Sequence, residues 1–420
     1  MHRDYKMKWI SKLLVFALTV LIALLSFNLL SNFGILDRIG TILGIKSVTE
    51  QETVIIIEEV RNIAQLLTQK YYDEIFFDSG IIEGSFLQRD KRIAVIAEGY
   101  VKAGFDLSSL DENALQVEKG IAILKVPAPK ILSVVSNPSN QEVFIARGFI
   151  SQEEQNYVNE IIRETLKENA VRAGILERSA EQGRAVLAKL LSLFGFDKVR
   201  IEMEKPESQL HGEALIEKIF KKVYRGYGSI KSETLTMDIN FENTAGGRAV
   251  KLRKETTDTG RSVVTCMGAE GRILYEVESY KGSVRPLRGG TEDPAVRQIV
   301  EFAKAFDFYG IFKNRGSYIF HYIRTVNLGS PYDTILIFPG GRDWRKIYIS
   351  RKTGFIDFME WPFEFRGRKA IARSFFSGYR RLGNGPIFVP LCCITFFDNK
   401  KIFTASVTNA GYDAPPRNYK

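Results

Sequence analysis

The residue types that most often perform chemistry in proteins are few in this sequence, and their spacing fits no familiar site. The histidines and cysteines are His2, His211, His321, Cys266, Cys392 and Cys393. They do not form the spaced Cys and His pairs of a zinc site. The sequence also lacks a phosphate-binding loop, a nucleophile elbow and a metalloprotease helix motif. These observations predict a protein with no metal, no cofactor and no enzymatic activity.

Isolated polar residues leave one enzymatic alternative open, in which scattered acids such as Asp106 or Asp333 serve an unrecognised hydrolase. His321 lies in an aromatic-rich stretch, which favours a packed, hydrogen-bonded imidazole over a general base. Three cysteines are too few for a disulfide framework. We expect them to be small buried residues, although Cys266 could pair with one of the other two.

Positive charge is concentrated in one part of the chain. The net charge is +10, and residues 340–381 contain eleven Lys and Arg against four Asp and Glu. On an exported protein, such a basic segment indicates anionic lipid head groups or polyanionic envelope polymers before nucleic acid. The same charges could instead form the solvated outer faces of strands.

Aromatic residues accompany these cations. A closed, filled sheet could bury all of them, whereas an open barrel would leave some lining a lipid cavity with the cations at its mouth. The predicted head-group ligands are Arg366, Arg368, Lys369 and Arg380. The predicted acyl-chain lining is Phe320, Phe338, Phe363 and Phe365. Each buried methylene of an acyl chain would gain about 0.8 kcal/mol among such rings.

One apolar run near the start of the chain predicts a membrane anchor. Residues 13–30 carry no charge, and at ~1.5 Å per residue a helix of this length spans roughly 27 Å, close to a bilayer core. Arg3, Lys6, Lys8 and Lys12 precede the run against a single Asp4. By the positive-inside rule, the N-terminus is cytoplasmic and the bulk of the chain is periplasmic or extracytoplasmic. The sequence therefore predicts an uncleaved single-pass anchor in the cell (inner) membrane.

The remaining sequence predicts an α+β protein in two domains, after a tip, anchor and bridge at residues 1–46. The first domain, residues 47–205, begins with a helix to about residue 74, whose early β-branched part could be a strand. Strands follow over 81–126, with a turn at Lys119 and Gly120, and helices fill 151–194. Gly174 and Gly183 are expected to break or bend this helical stretch.

The second domain, residues 209–410, has a different texture and precedes a tail at 411–420. Residues 205–210 form a linker by composition. Alternating strands separated by Gly, Asn and Asp dominate, with one helix predicted over 293–306. Regular strands with one or two helices predict a curved antiparallel sheet or half-barrel.

Specific motifs in the first domain resemble a known family. They are Gly99-Tyr-Val-Lys-Ala-Gly-Phe-Asp-Leu, Val126-Pro-Ala-Pro-Lys-Ile-Leu and the Ala-rich stretch 167–196. This pattern, over about residues 50 to 204, resembles a bacterial membrane-anchored domain of unknown function with the serial number four-two-three-zero. The resemblance implies membrane anchoring and no established activity.

The second domain resembles the LolA/LolB-like outer-membrane lipoprotein-sorting fold over about residues 215 to 410. The motifs are Thr353-Gly354-Phe355, then Phe376-Ser377-Gly378-Tyr379-Arg380, then Pro390. The resemblance implies an incomplete β-barrel closed by helices, whose relatives bind acyl chains inside.

From these observations we expect a non-enzymatic, single-pass envelope protein whose distal domain binds lipid or lipoprotein. Its expected partners are the membrane bilayer and an acyl lipid or lipoprotein, with no nucleic acid. A structural or interaction scaffold of the cell envelope is the main alternative, and it would use a homo-oligomer or an envelope protein partner. The unrecognised hydrolase is the second alternative.

Overall fold

The computed structural model describes residues 50–78, 91–136, 142–241, 249–268, 270–280, 283–288, 307–339, 344–365, 367–381, 387–397 and 399–412. The predicted anchor at 13–30 and the predicted helix at 293–306 lie outside these ranges. Within them, no helix has the length and apolar character needed to cross a membrane.

The first half of the described chain contains both helices and strands, and strands dominate the second half. The helices are α1 Glu50–Asn62, α2 Gln152–Arg172, α3 Ile175–Leu193, α4 Glu207–Ile219 and α5 Phe308–Lys313. The first strands are β1 Gln65–Asp78, β2 Arg92–Asp106, β3 Leu115–Glu118, β4 Ile121–Val126, β5 Lys130–Ser136, β6 Glu142–Arg147 and β7 Val199–Met203. The next are β8 Ser232–Phe241, β9 Ala249–Thr257, β10 Ser262–Met267, β11 Ile273–Tyr280, β12 Ser283–Arg288, β13 Ile319–Asn327 and β14 Pro331–Phe338. The last are β15 Arg345–Ser350, β16 Ile356–Phe365, β17 Arg368–Ser377, β18 Arg380–Arg381, β19 Phe388–Val389, β20 Cys392–Phe397 and β21 Lys400–Tyr412.

The chain divides into two compact units that do not follow sequence order. One combines the chain up to Lys70 with residues 102–133 and 175–204. The other combines residues 71–101 and 134–174 with residues 205–420. The sequence-based division at 205–209, as a statement about independently folding parts, stays a prediction.

In the first unit, strands β3, β4 and β7 form a sheet that helix α3 covers. Strands β3 and β4 are antiparallel and join at Lys119 and Gly120, whose positive φ angles of 50° and 78° confirm the predicted turn. Gly183 lies inside helix α3 and does not break it. A Cβ atom there would stand 2.1 Å from the ring of Phe105, so this glycine permits close packing of the helix against strand β2.

The predicted helix to residue 74 is wrong, because helix α1 ends at Asn62 and a strand begins at Gln65. Ala64 adopts a φ of 53°, which reverses the chain between the two elements. The guanidinium of Arg61 donates 2.7 Å and 3.1 Å bonds to the carbonyl of Leu110. This strand, β1, pairs with β2, and residue spacing within β1 does not predict that pairing.

In the second unit, helix α2 begins at a capping box, as the sequence predicts. The Ser151 hydroxyl accepts from the Glu154 amide at 3.2 Å, and the Glu154 carboxylate accepts from the Ser151 amide at 2.7 Å. The break that follows at Gly174, with φ of 75°, is also confirmed. The predicted linker at 205–210 is wrong from residue 207 onward, because helix α4 begins at Glu207.

A twelve-stranded sheet dominates the second unit, in the order β12-β11-β10-β9-β8-β21-β20-β17-β16-β15-β14-β13. Every neighbouring pair is antiparallel. The predicted antiparallel sheet is therefore confirmed. Cys266 and Cys393 are buried within it and Cys392 is half-buried, all as free thiols.

One face of this sheet, called the inner face below, carries the main hydrophobic core. It is marked by Met237, Leu252, Ile347, Met359 and Ala405, all nearly inaccessible to solvent. Helices α4 and α5 and the turns after α4 cover it, with core residues Ile216, Ile219, Phe220, Tyr224, Tyr227, Phe308, Tyr309, Ile311 and Phe312. Rings stack closely there, and Tyr224 and Phe312 have centroids 4.0 Å apart.

The sheet is strongly curved toward this face. Lys254 on β9 and Arg345 on β15 both contact the carboxylate of Asp307, at 3.2 Å and 3.3 Å. Six strand-to-strand steps separate β9 from β15. In a flat sheet that distance is roughly 29 Å at ~4.8 Å per step, far more than two side chains and a carboxylate can bridge. The sheet must therefore bend around the segment that begins at Asp307.

Helix α4 lies along the outermost strand of the sheet, β13. Gly212 faces its backbone, and a Cβ atom there would stand 2.4 Å from the Phe320 carbonyl oxygen and 2.9 Å from the Tyr322 amide nitrogen. The imidazole of His211 stacks on the Tyr322 ring at 3.9 Å. The helix thus covers the backbone groups of β13 on the side where no other described strand pairs with it.

On the opposite, outer face, helix α2 contacts the sheet through a buried ion pair. Lys346 on β15 donates to both carboxylate oxygens of Glu168, at 2.7 Å and 2.8 Å. Burial opposes ionisation of Glu168, but the charges of Lys346 and Arg172 outweigh it and lower its pKa. The Arg172 guanidinium also stacks 4.1 Å over the ring of Trp344.

Candidate functional site

Asp307 is the centre of a polar cluster beneath the curved sheet. It caps helix α5, whose Gly310 amide donates to Oδ1 at 3.3 Å. Lys254 Nζ lies 3.2 Å from Oδ1, and Arg345 Nη1 lies 3.3 Å from Oδ2. The Tyr318 hydroxyl donates to Oδ2 at 3.5 Å. Burial opposes ionisation of Asp307, but the two cations outweigh it and hold its pKa below the usual range.

Glu233 is a second buried acid on the inner face, and one of its oxygens is unpaired. Its exposed fraction is 1%. The Tyr227 hydroxyl donates to Oε1 at 3.2 Å, whereas Oε2 has no hydrogen-bond partner among the described residues. Burial raises the pKa of Glu233 to about 7, although the charge of Lys254 opposes the rise. This carboxyl can therefore exist as an acid or a carboxylate near neutral pH.

Two further polar atoms on the inner face are buried and lack a partner in the described part of the chain. They are Nε1 of Trp361 and the hydroxyl of Tyr412. Tyr412 lies directly opposite Glu233 across the β8–β21 pair. Burial raises the pKa of Tyr412, and the charge of Glu233 raises it further. Because an unpaired buried polar atom costs about 1–3 kcal/mol, three of them on one face point to a missing partner.

The structure brings together part of the predicted acyl lining. Phe320 and Phe363 both belong to the core on the inner face, where the Phe363 ring meets Phe397 edge to face at 5.7 Å. Phe338 is opposite Ile319 in register, which places it on the other face from Phe320, and its ring contacts His321 at 5.9 Å. The side chain of Phe365 lies outside the described residues.

The structure also separates the predicted head-group cations from one another. Arg368 and Lys369 are exposed at the start of β17, at the hairpin that joins it to β16. Arg366 lies outside the described residues. Arg380 is exposed beyond the other end of the ten-residue strand β17, roughly 30 Å away at ~3.4 Å per residue. Arg368 and Lys369 are therefore chain neighbours whose side chains point to opposite faces of the sheet, and Arg380 is distant from both.

The acids of the hydrolase alternative each have close partners of their own. Lys130 Nζ contacts Asp106 at 2.9 Å. Hydrogen bonds from Lys130 and Ser108 lower the pKa of Asp106 to about 2. Asp333 accepts from Thr325 Oγ1 at 2.8 Å and contacts Arg351 at 3.6 Å. Both acids are therefore held by hydrogen bonds and ion pairs with nearby side chains.

His321 is fully buried, as expected for a packed imidazole. Its Nδ1 lies 3.0 Å from the hydroxyl of Ser208, on the first turn of helix α4. Sequence spacing gave no indication of this pair, because 113 residues separate its members. The same applies to Asp307, whose partners Lys254 and Arg345 are 53 and 38 residues away in the sequence.

The described part of the chain is thus an α+β protein with a curved antiparallel sheet, whose helix-covered face holds an unsatisfied polar site. Residues 58–201 match the family model described as Protein of unknown function (DUF4230). The resemblance of this region to that family, predicted from the sequence, is confirmed. None of the proteins of curated function matches the chain.

About half of the chain also resembles solved structures. A LolA superfamily protein from Nitrosomonas europaea is 10% identical, with a TM-score of 0.35 over 49% of this chain and 94% of that one. A putative outer membrane lipoprotein-sorting protein domain from Vibrio parahaemolyticus is 9% identical, with a TM-score of 0.35 over 50% and 95%. A DUF1329 family protein from Desulfovibrio piger is 12% identical, with a TM-score of 0.31 over 50% and 94%.

Proposed function

We propose that this chain is a non-enzymatic, single-pass envelope protein whose curved sheet binds the acyl chain of a lipid or lipoprotein. In this proposal, residues 13–30 anchor it in the cell membrane and the sheet lies outside the cytoplasm. The acyl chain enters between the inner face and the helices that cover it. The anionic head group stays at the edge of the sheet.

The single observation that carries this proposal is the change from buried apolar residues to exposed cationic residues at the β16–β17 hairpin. Phe363, with an exposed fraction of 3%, is paired in register with Ala370. Lys369 and Arg368, which precede Ala370 on strand β17, are exposed. Arg368 has the same strand parity as Ala370, opposite Phe363, whereas Lys369 points to the other face, so an apolar interior and an exposed cation meet within three residues of one strand, as an anionic amphiphile requires.

Trp361 supplies a polar contact next to this edge. It is two residues from Phe363 on the same face and paired with Ala372, and its buried Nε1 has no acceptor among the described residues. A carbonyl or phosphate oxygen of a ligand would accept this hydrogen bond.

The proposal is tested on the full chain, extracted in mild detergent. Native mass spectrometry should detect a bound acyl lipid, and a photoreactive stearic acid should label peptides of strands β16 and β17. Because Coulomb attraction at an exposed site is screened, labelling by the anionic probe should weaken as salt is raised.

Two matched charge reversals locate the head group. The double variant Arg368→Glu/Lys369→Glu should lose the preference for stearic acid over its uncharged methyl ester. Arg380→Glu, at the far end of the same strand, should keep that preference. A chain that is free of lipid and is not labelled by the probe would contradict the proposal.

A scaffold role is the second candidate, and a specific surface favours it. On the outer face, Phe358, Phe375 and Phe396 form a row across β16, β17 and β20, with ring centroids 4.9 Å and 5.5 Å apart. Phe375 is exposed. Ligand-free protein whose self-association is lost in Phe375→Ser would support the scaffold instead.

A further inference from the structure

The polar atoms on β8 and β21 form a site separate from the β16–β17 edge. Glu233 and Tyr412 are direct neighbours across the two strands, so their Cβ atoms stand about 5 Å apart. Oε2 of Glu233 and the hydroxyl of Tyr412 are both unpaired within the described ranges. One is a buried acceptor and the other can donate and accept.

The residues around this pair are largely aromatic and almost completely buried. Tyr227, which donates to the other oxygen of Glu233, is fully buried and meets the ring of Tyr309 edge to face at 5.8 Å. Thr256, opposite Glu233 on the other neighbouring strand, is also buried and its hydroxyl lies 3.3 Å from that of Ser262. A group that enters must therefore bring few polar atoms and satisfy both unpaired ones.

The nearby charges restrict what this group can be. Lys254, Arg345 and Asp307 already pair with one another close to Glu233. An ammonium group would add a third cation to them. A carboxylate or phosphate would add a further negative charge beside Glu233 and Asp307, whose two cations are already paired, and burying that charge is costly. A neutral hydroxyl meets neither penalty, since it can donate to Oε2 and accept from Tyr412.

We propose that Glu233 and Tyr412 bind a hydroxyl group carried by the acyl chain of the ligand, so that the protein selects hydroxylated over plain acyl chains. This inference rests on the proposed acyl-binding function and names its substrate class. Tyr227 is a positioning residue, because its bond to Oε1 turns Oε2 toward the ligand. The hydroxyl replaces the missing partner of each buried atom.

The test is a competition in the detergent-extracted full chain, with photoreactive stearic acid as the probe. The competitors are stearic acid and a series of hydroxystearic acids that differ only in the position of the hydroxyl. At least one positional isomer should displace the probe at about tenfold lower concentration than stearic acid, the effect of one or two buried hydrogen bonds. Partition into detergent is the same for every variant, so comparison between variants isolates the site.

The variants separate the hydroxyl site from the rest of the sheet. Tyr412→Phe removes one unpaired hydroxyl, so it should fold normally and reduce the preference several-fold. Glu233→Leu should abolish the preference while stearic acid still competes. Tyr348→Phe, which loses a bond of 3.0 Å to Glu360 on the outer face, should leave the preference intact.

The possible results distinguish failure of the hydroxyl site from failure of acyl binding as a whole. If every isomer competes no better than stearic acid, the site holds at most a water molecule and the inference is overturned. Survival of the preference in Glu233→Leu overturns it as well. If the probe does not label the full chain at all, the proposed function fails, and this inference falls with it.

Discussion

At the scale of single residues, Glu233 makes the stability of the protein depend on pH. Its pKa is raised to about 7 in the folded state, mainly by burial. The folded state therefore binds more protons than the unfolded chain between about pH 4.5 and 7, and stability falls as pH rises through this window. The fall from this one group is about 3 kcal/mol.

We expect Glu233→Gln to remove that fall, because an amide does not ionise. The measurement is the free energy of unfolding in urea at several pH values from 4.5 to 8. Glu276→Gln is the control, because Glu276 is also buried in this sheet but accepts a hydrogen bond from Thr265 at 3.0 Å. Parallel pH curves for wild type and Glu233→Gln would contradict the prediction.

Contacts between residues that are close in the sequence could be predicted, whereas contacts between distant residues could not. The capping box of Ser151 and Glu154 and the turn at Lys119 are predictable, because their partners lie within a few residues. Asp307 contacts Lys254 and Arg345 across 53 and 38 residues, so no local pattern reveals the cluster. Its residues meet only because the sheet curves.

At the scale of elements, helix α3 depends on a glycine that intrinsic helix propensity disfavours. Gly183→Ala should gain about 1 kcal/mol of helix propensity, but the new methyl group would overlap the ring of Phe105. Overpacking of this kind costs about 1–3 kcal/mol, so we expect a net loss of about 1 kcal/mol.

Thermal and urea unfolding should show this loss, whereas Gln182→Ala, at the exposed neighbouring position, should be nearly neutral. In a Phe105→Leu background, Gly183→Ala should no longer destabilise, because the space is vacated. An equal loss in both backgrounds would mean that the glycine acts through the helix alone.

The element scale explains the one large error in secondary structure. Residues 63–71 have apolar side chains at spacings that fit a helix as well as a strand. The positive φ of Ala64 ends helix α1. The residues that follow form a strand because they pair with β2. Alternation is clear in β8, where buried and half-buried residues alternate over nearly the whole strand, and there the sequence-based prediction was correct.

At the scale of the whole molecule, Asp307 holds together distant strands of one sheet. Asp307→Asn should keep the cap of helix α5, because asparagine caps helices as well as aspartate does. It would remove the negative charge that Asp307 places beside the buried Lys254 and Arg345. Breaking a buried ion pair in this way costs about 3–5 kcal/mol, and we expect about 3 kcal/mol here.

The check is the free energy of unfolding, with Glu213→Gln as control. Glu213 pairs with Lys205 at 2.9 Å in an exposed position, where a charge pair contributes at most about 1 kcal/mol. Equal effects of the two substitutions would show that the Asp307 cluster does not hold the curved sheet.

The predicted anchor also belongs to this scale. Deleting residues 13–30 should move the protein from the membrane fraction to the soluble fraction, because the deleted run is the longest uncharged apolar stretch near the start of the chain. Fractionation followed by immunodetection is the measurement. Retention of the deleted form in the membrane, in high salt and carbonate, would contradict the anchor.

Helix α4 along strand β13 has a consequence for solubility. An outermost strand with bare amide and carbonyl groups is a template on which another chain can add a strand. Gly212 lets the helix sit directly against the Phe320 carbonyl, so a bulkier residue there would push the helix away. The helix therefore protects this strand from pairing with another molecule. Gly212→Val should yield protein that assembles edge to edge into fibrils at concentrations where the wild type stays dispersed.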